Sequence, residues 1–330
     1  MDFHIEFSPK HLSQKINHRH KLLLLGSCFT ENIGDKLVTH KFSVLQNPNG
    51  ILFNPVSVKE AVENYIDNKV ITENDLFYLN EGYHSWQHHS RFSGTTKEDA
   101  VQKINTSTNT AHHYLKETDT VIITLGSAWV YELTGKAANA KTGNVAANNH
   151  KAPADWFNRR LLTNAEVIDL LHTTIAELHQ FNPFIKIIFT ISPVRHLREG
   201  FVENNRSKAA LINAVHAAAE HFENVFYFPA YELVIDDLRD YRFSAEDMVH
   251  PNYAATNYVW EKFVTACIDE TSQELMKQIN EINAAINHKP FNETSVAHQA
   301  FKLKYWNILQ SMQQKYPYLH LTDQINYFAT

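Results

Sequence analysis

Short apolar runs alternate with longer amphipathic ones along most of this 330-residue chain. Five runs are aliphatic or β-branched and lie between segments of helical period, which predicts buried strands. They are Lys21–Leu25, Phe42–Gln46, Val121–Leu125, Lys186–Ile191 and Val225–Phe228. Between them, Glu31–Thr39, Val56–Asp67, Lys97–Lys116, Asn164–Phe181 and Ser207–Phe222 repeat apolar residues every three to four positions and predict helices. Asn164 and Ser207 read as N-caps, and Pro55 suits a first helical turn. Strict alternation predicts a parallel sheet with helices on both faces, a three-layer αβα sandwich. Right-handed crossovers then place the first strand near the middle of a five-stranded, flavodoxin-like sheet.

After Asn252 the pattern is helical to about Met312, broken at Pro290. This divides the chain into a sandwich over residues 1–268 and a C-terminal helical extension over residues 269–330 that packs on it. Leu133–Pro153 is rich in Ala, Asn and Gly and reads as a long loop, which in a compact domain is functional or mobile.

Composition narrows the function classes. Apolar residues make up 44% and charged residues 20%, so the chain is an ordinary globular one. A net charge of -6 offers no basic field for nucleic acid or anionic lipid. The first twenty residues hold no apolar signal core, and the run Leu22–Leu25 is far too short to span a membrane. No membrane partner and a cytoplasmic location are expected. Cys28 and Cys267 provide neither a disulfide framework nor a CxxC metal site. His84, His88 and His89 lack a further ligand cluster at metal-binding spacing, so no metal and no cofactor are expected.

In an open α/β sheet ligands bind beyond the carboxyl ends of the strands. The predicted exits carry Gly26-Ser27-Cys28, Asn47-Pro48-Asn49-Gly50, Gly126-Ser127-Ala128-Trp129 and Ser192-Pro193-Val194-Arg195-His196. The run Asp247-Met248-Val249-His250-Pro251 opens the closing helix. A serine on a strand-to-helix turn presents a hydroxyl, and a hydroxyl at its ordinary pKa needs a base to attack. Asp247 and His250 are spaced to supply that base and a carboxylate to orient it, although Asp169 and His172 repeat the spacing mid-helix. Ser27 also suits a plain N-cap. Cys28, one residue on, is expected to point elsewhere as an inert buried thiol. Trp129 sits at an exit as core or substrate platform, and Arg195 as a substrate clamp or an anchor for the backbone of the Leu133–Pro153 loop.

Together these residues resemble the GSCFA family, a branch of the SGNH (GDSL-type) hydrolases. Gly26-Ser27-Cys28-Phe29 carries the family's naming motif, with Thr30 in place of the usual alanine. The Asn47–Gly50 block, Trp86, Leu125–Tyr131, Ser192–His196 and Tyr231–Pro251 extend the likeness. The resemblance implies a serine esterase or acyl hydrolase acting through an acyl-enzyme, with Ser27 as nucleophile, His250 as base and Asp247 as orienter. It implies oxyanion donors in the N–H groups of Ser27 and Gly50. Where the superfamily adds an asparagine, this chain has Ala128, so Asn148 is the candidate substitute, with His150 beside it for substrate. The implied partner is a small-molecule or carbohydrate ester, such as an O-acetylated sugar, and a homodimer is possible. An acyltransferase with the same triad, or a ligand-binding member without turnover, are the alternatives.

Overall fold

A computed structural model describes residues 6–329. Nine strands follow in chain order: β1 (Lys21–Gly26), β2 (Ser43–Gln46), β3 (Phe77–Leu79), β4 (Gly82–His84), β5 (Thr120–Leu125), β6 (Trp129–Leu133), β7 (Phe157–Leu161), β8 (Lys186–Ile191) and β9 (Val225–Phe228). The main helices are α1 (Cys28–Thr39), α2 (Pro55–Ile66), α3 (Lys97–Lys116), α4 (Asn164–Phe181) and α5 (Phe201–His221). They are followed by the single turn α6 (Ala230–Glu232), then α7 (Tyr253–Cys267), α8 (Glu270–Asn287), α9 (Val296–Lys315) and α10 (Thr322–Ala329).

The five apolar runs form one parallel sheet in the order β2-β1-β5-β8-β9, the flavodoxin-like order expected of right-handed crossovers. Their unbroken hydrophobicity has a direct cause, because both faces are covered. Leu23, Leu25, Val121, Ile123, Ile187 and Phe189 face a core closed by α2, α3, α4 and α5. Leu22, Leu24, Ile122 and Ile188 face the opposite core, closed by α1 and α7. The three-layer αβα sandwich is therefore present as read.

Boundaries differ where local chemistry overrides periodicity. Helix α1 begins at Cys28 rather than Glu31. Thr163, not Asn164, caps α4, in a reciprocal pair with Glu166. Ser207 is not a cap at all: α5 starts six residues earlier, after Gly200 at φ 95°, and Ser207 is buried in its second turn. The hairpins β3–β4 and β6–β7 lie outside the main sheet, and their short strands carry no long apolar run to reveal them. The predicted loop after Leu133 does lack helix and strand, but Ala137, Val145 and Ala146 are buried. Ala137 and Ala146 join a cluster with Phe77 and Trp86 that anchors it.

At the C-terminus, Leu275, Ile279, Ile282, Leu309, Met312 and Phe328 build a separate small core among α8, α9 and α10. Met276 of α8 packs into the sandwich, and the Asn283 side chain donates to the Thr39 carbonyl at 3.2 Å. Among the described residues no helix is long and apolar enough to cross a membrane.

The turn out of β1 leaves no room for a side chain against the backbone of β5. Gly26 sits at φ +135°, and a Cβ there would lie 2.2 Å from the Thr124 carbonyl oxygen on the neighbouring strand. Gly26→Ala is expected to cost about 4 kcal/mol or more, since it adds a strained φ to a backbone clash in the sheet. Chemical denaturation of the purified variant checks this; an unfolding midpoint equal to the parent's would refute it.

Candidate active site

The carboxyl ends of β1, β5 and β8 open onto a cavity of about 490 Å³, lined among others by Cys28, Trp129, Asn148, Arg195, His196 and His250. These residues come from five separate segments of chain, and the sheet's topology brings them to one rim.

The Asp247–His250 loop is held on itself. One Asp247 oxygen accepts the N–H groups of Val249 and His250 at 2.9 and 3.0 Å, while the other lies 2.6 Å from His250 Nδ1. Those two backbone N–H groups, followed by the imidazole, hold the Asp247 carboxyl down at about 2. A carboxylate only accepts, so the geometry assigns the proton to Nδ1 and leaves Nε2 with its lone pair. Met248 takes a left-handed conformation at φ 59° to close the turn. Outside it, the Ala245 N–H donates to the His250 carbonyl at 2.7 Å. Arg195 braces the same loop, its N–H meeting the Val249 carbonyl at 3.3 Å and its guanidinium the Met248 carbonyl at 3.5 Å. The loop that Arg195 holds is therefore the Asp247–His250 turn and not the expected Leu133–Pro153 segment, and its side chain also lines the cavity.

The β1–α1 turn reverses the expected orientation of its two polar side chains. Ser27 is still extended (φ -70°, ψ 174°), and its N–H donates to the Thr124 carbonyl at 3.1 Å as a strand residue's would. Its side chain points into the protein: the residue is 0% exposed, and Oγ makes no hydrogen bond. Cys28, the first residue of α1, is half-buried and lines the cavity that Ser27 does not reach.

The oxyanion donors also require correction. The N–H of Ser27 is taken by Thr124, and the N–H of Gly50 is taken by the Asn47 carbonyl at 2.7 Å in a tight turn. Asn148 does line the cavity, and its Oδ1 accepts the His150 N–H at 2.9 Å, leaving the amide NH2 as its donor end. His150 itself is not on the cavity wall. It is buried, donates through Nε2 to the Ser85 carbonyl at 2.8 Å, and packs against His84 and the edges of Phe77 and Trp86. Burial lowers its pKa to about 4, so it stays neutral and supports the Asn148 turn rather than binding substrate.

Trp129 lines the cavity at the start of β6, and its indole N–H donates to the Glu203 carbonyl at 3.4 Å. His196 lines it too, edge-on to Phe53 at 5.2 Å, with Nε2 buried and unpaired. Burial, then the charges of Lys208 and His250, lower its pKa to about 4. Gly126 leaves room for this ring, since a Cβ there would come within 3.0 Å of Nε2.

Beneath the cavity lies a set of polar residues whose role the sequence pattern did not reveal. Asn204, Ser207 and Lys208 of α5 are buried and hold the exits of β5 and β8. Asn204 accepts the His196 N–H at 2.9 Å, and Ser207 accepts the Ala128 N–H at 2.7 Å. The Lys208 ammonium donates to the carbonyls of Gly126 at 2.7 Å and Ser192 at 2.6 Å. Its burial lowers its pKa to about 7. A signal was present: these three polar residues continue the stripe of Leu211, Ala214, Val215 and Ala218 that faces the sheet. Polar residues on a core-facing stripe need buried partners, and strand exits supply them. Among the described residues no three His, Cys, Asp or Glu side chains converge as a metal-binding group.

The chain matches the GSCFA family over residues 21–263 and the C-terminal domain of GSCFA domain proteins over residues 279–330. Among solved structures it is similar to a carbohydrate esterase family 3 from Talaromyces cellulolyticus, at 10% identity over 79% of this chain and 99% of that one, with a TM-score of 0.35. A family 3 carbohydrate esterase from Clostridium thermocellum matches at 9% identity over 79% and 98%, with a TM-score of 0.36. The acetyl xylan esterase Est2A from the rumen bacterium Butyrivibrio proteoclasticus matches at 10% identity over 80% of this chain and 65% of that one, with a TM-score of 0.37. No curated protein matches in sequence.

Proposed function

This chain belongs to the GSCFA family, and on that premise we propose that it is an ester hydrolase of the SGNH type. In this reading it works through an acyl-enzyme at the cavity above β1, β5 and β8. One observation carries the proposal: His250, its Nδ1 held 2.6 Å from the Asp247 carboxylate, borders a cavity into which the β1–α1 turn also projects a nucleophilic side chain. A carboxylate-oriented imidazole beside a nucleophile is the arrangement that acyl transfer needs. His250 Nε2 takes the nucleophile's proton as the ester carbonyl is attacked and returns it to the leaving alcohol. Asp247 holds the ring in the productive tautomer and offsets the charge that the imidazolium gains. In this reading the Asn148 amide, which lines the cavity, is the side-chain oxyanion donor, replacing the asparagine whose usual place Ala128 takes. Trp129 and Tyr131 line the cavity, and aromatic walls suit the apolar face of a sugar ring, which supports a carbohydrate O-acetyl ester as substrate.

Two measurements probe these roles. Asp247→Asn keeps the loop's shape but lets Nδ1 lose its obligatory acceptor. It is expected to lower kcat roughly 10³-fold or more on acetyl esters, with KM little changed. Trp129→Ala is expected to act the other way, raising KM about tenfold while kcat stays near the parent's, because a platform contributes to substrate and transition state alike. The deciding experiment is a panel of aryl and O-acetyl sugar esters with product analysis in the presence and absence of an added alcohol. Free acid in both supports the hydrolase. Acyl product on the alcohol with little acid makes it a transferase, and no turnover of any ester by the parent defeats the enzyme reading.

A further inference from the structure

We propose that the attacking atom is the Cys28 sulfur, so that the acyl intermediate is a thioester. The assignment rests on the ester-hydrolase reading above and names the nucleophile within it. Its basis is placement. Of the two side chains on the β1–α1 turn, only Cys28 borders the cavity that His250, His196 and Asn148 also border. Ser27 is 0% exposed, its Oγ has no partner, and its N–H is spent on the Thr124 carbonyl. To reach substrate, Ser27 would have to turn its side chain out of the core and give up a sheet hydrogen bond. Cys28 needs neither change.

The surroundings of the sulfur fit a nucleophile that is a thiol at rest and a thiolate during attack. Burial, and to a smaller degree the Glu31 carboxylate, push its pKa up. Against that push stand the N–H groups of Phe29 and of Cys28 itself at the start of α1, and the charge of the buried Lys208. Those two N–H groups have no carbonyl to bond within the helix, so they are available to a developing anion. A thiol held up by burial needs a base at the moment of attack, and the cavity supplies one in His250. Cys267 has no such setting. It is 1% exposed at the C-terminal end of α7, facing the core, and burial drives its pKa far up.

The chemistry closes without a further reactant. His250 Nε2 takes the thiol proton, and the sulfur forms a bond to the ester carbonyl carbon. The carbon–oxygen bond to the alcohol breaks, and the alcohol leaves with the proton from His250. Water then gives a proton to His250 and attacks the thioester. The carbon–sulfur bond breaks, the acid departs and the thiol regains its proton.

Brief reaction of the parent with a 4-nitrophenyl ester, acid quenching and peptide mapping locate the acyl group. The expected result is acyl mass on the peptide carrying Cys28, removed by neutral hydroxylamine as a thioester is. Resolution of the site to Cys28 rather than Ser27 comes from fragmentation of that peptide. Iodoacetamide is expected to abolish turnover by modifying Cys28 and not Cys267, with prior acylation giving protection. Cys28→Ala is expected to lose roughly 10³-fold or more in kcat, with its circular dichroism and unfolding midpoint near the parent's. An acyl group on Ser27, or parental turnover in Cys28→Ala, overturns the cysteine assignment and leaves the hydrolase standing. A parent that turns over no ester and carries no acyl group brings down both.

Discussion

Replacing His250 with alanine is expected to lower kcat by roughly 10³- to 10⁴-fold while leaving stability almost untouched. The two halves of that prediction have separate origins. The ring is about half exposed, so its removal takes away little packing. Its main-chain carbonyl, which accepts the Ala245 N–H at 2.7 Å, remains in the variant. The catalytic loss is large because no other imidazole on the cavity is held by a carboxylate. The nearest alternative, His196, is paired with no acid and is depressed to about 4 by burial and by the positive charges around it. Rates on a 4-nitrophenyl ester, read beside urea unfolding at the same pH, check both halves. Turnover within a few fold of the parent would remove His250 from the mechanism. A large fall in stability would mean that the loop is held by the ring rather than by its backbone.

Lys208→Ala is expected to do the opposite, with a cost of about 3–5 kcal/mol in stability before any effect on chemistry is considered. The substitution leaves the carbonyls of Gly126 and Ser192 without their buried donor and opens a cavity under the rim. The pH dependence identifies the cause. Burial sets the Lys208 ammonium at about 7 in the folded protein, against an ordinary value of 10.5. Between those values the unfolded chain binds more protons than the folded one, so raising the pH stabilises the folded state. Below about 7 both states hold the proton and the term is constant. Parent stability, measured as the difference from Lys208→Ala, is therefore expected to grow by roughly 2–3 kcal/mol from pH 7 to pH 9. A difference that stays flat over that interval would place the ammonium in a far more polar setting. Because Lys208 also carries the exits of β5 and β8, loss of ester turnover is expected to accompany the loss of stability.

The layers of the molecule were open to reading from residue order alone. Leu22 to Leu25 is uniformly apolar because neighbouring side chains enter different cores, and no polar residue is tolerated on either side. Alternation with amphipathic helices then restricts the topology to right-handed crossovers, and the observed strand order follows. Asp247 and His250 were also legible, since their contact spans one tight turn and depends on nothing distant. The hairpins β3–β4 and β6–β7 escaped because strands of three and five residues, half exposed and paired only with each other, bury too little to impose a pattern. Asn204, Ser207 and Lys208 escaped for a different reason: helical period does not say what a buried polar side chain pairs with, and their partners lie about 80 residues earlier in the chain or at Ser192 and His196.

Residue order by itself determined the sandwich, the rim at which its polar side chains gather and the acid–imidazole pair, since each arises from periodicity or from contacts a few residues apart. Only the tertiary structure decided which side chain of the Ser27–Cys28 turn meets the cavity. That outcome depends on β5: the Thr124 carbonyl holds the Ser27 N–H and prolongs the extended backbone of β1 by one residue. In an extended chain one residue of register exchanges inside for outside. A hydrogen bond between strands almost a hundred positions apart therefore buries the hydroxyl and presents the thiol.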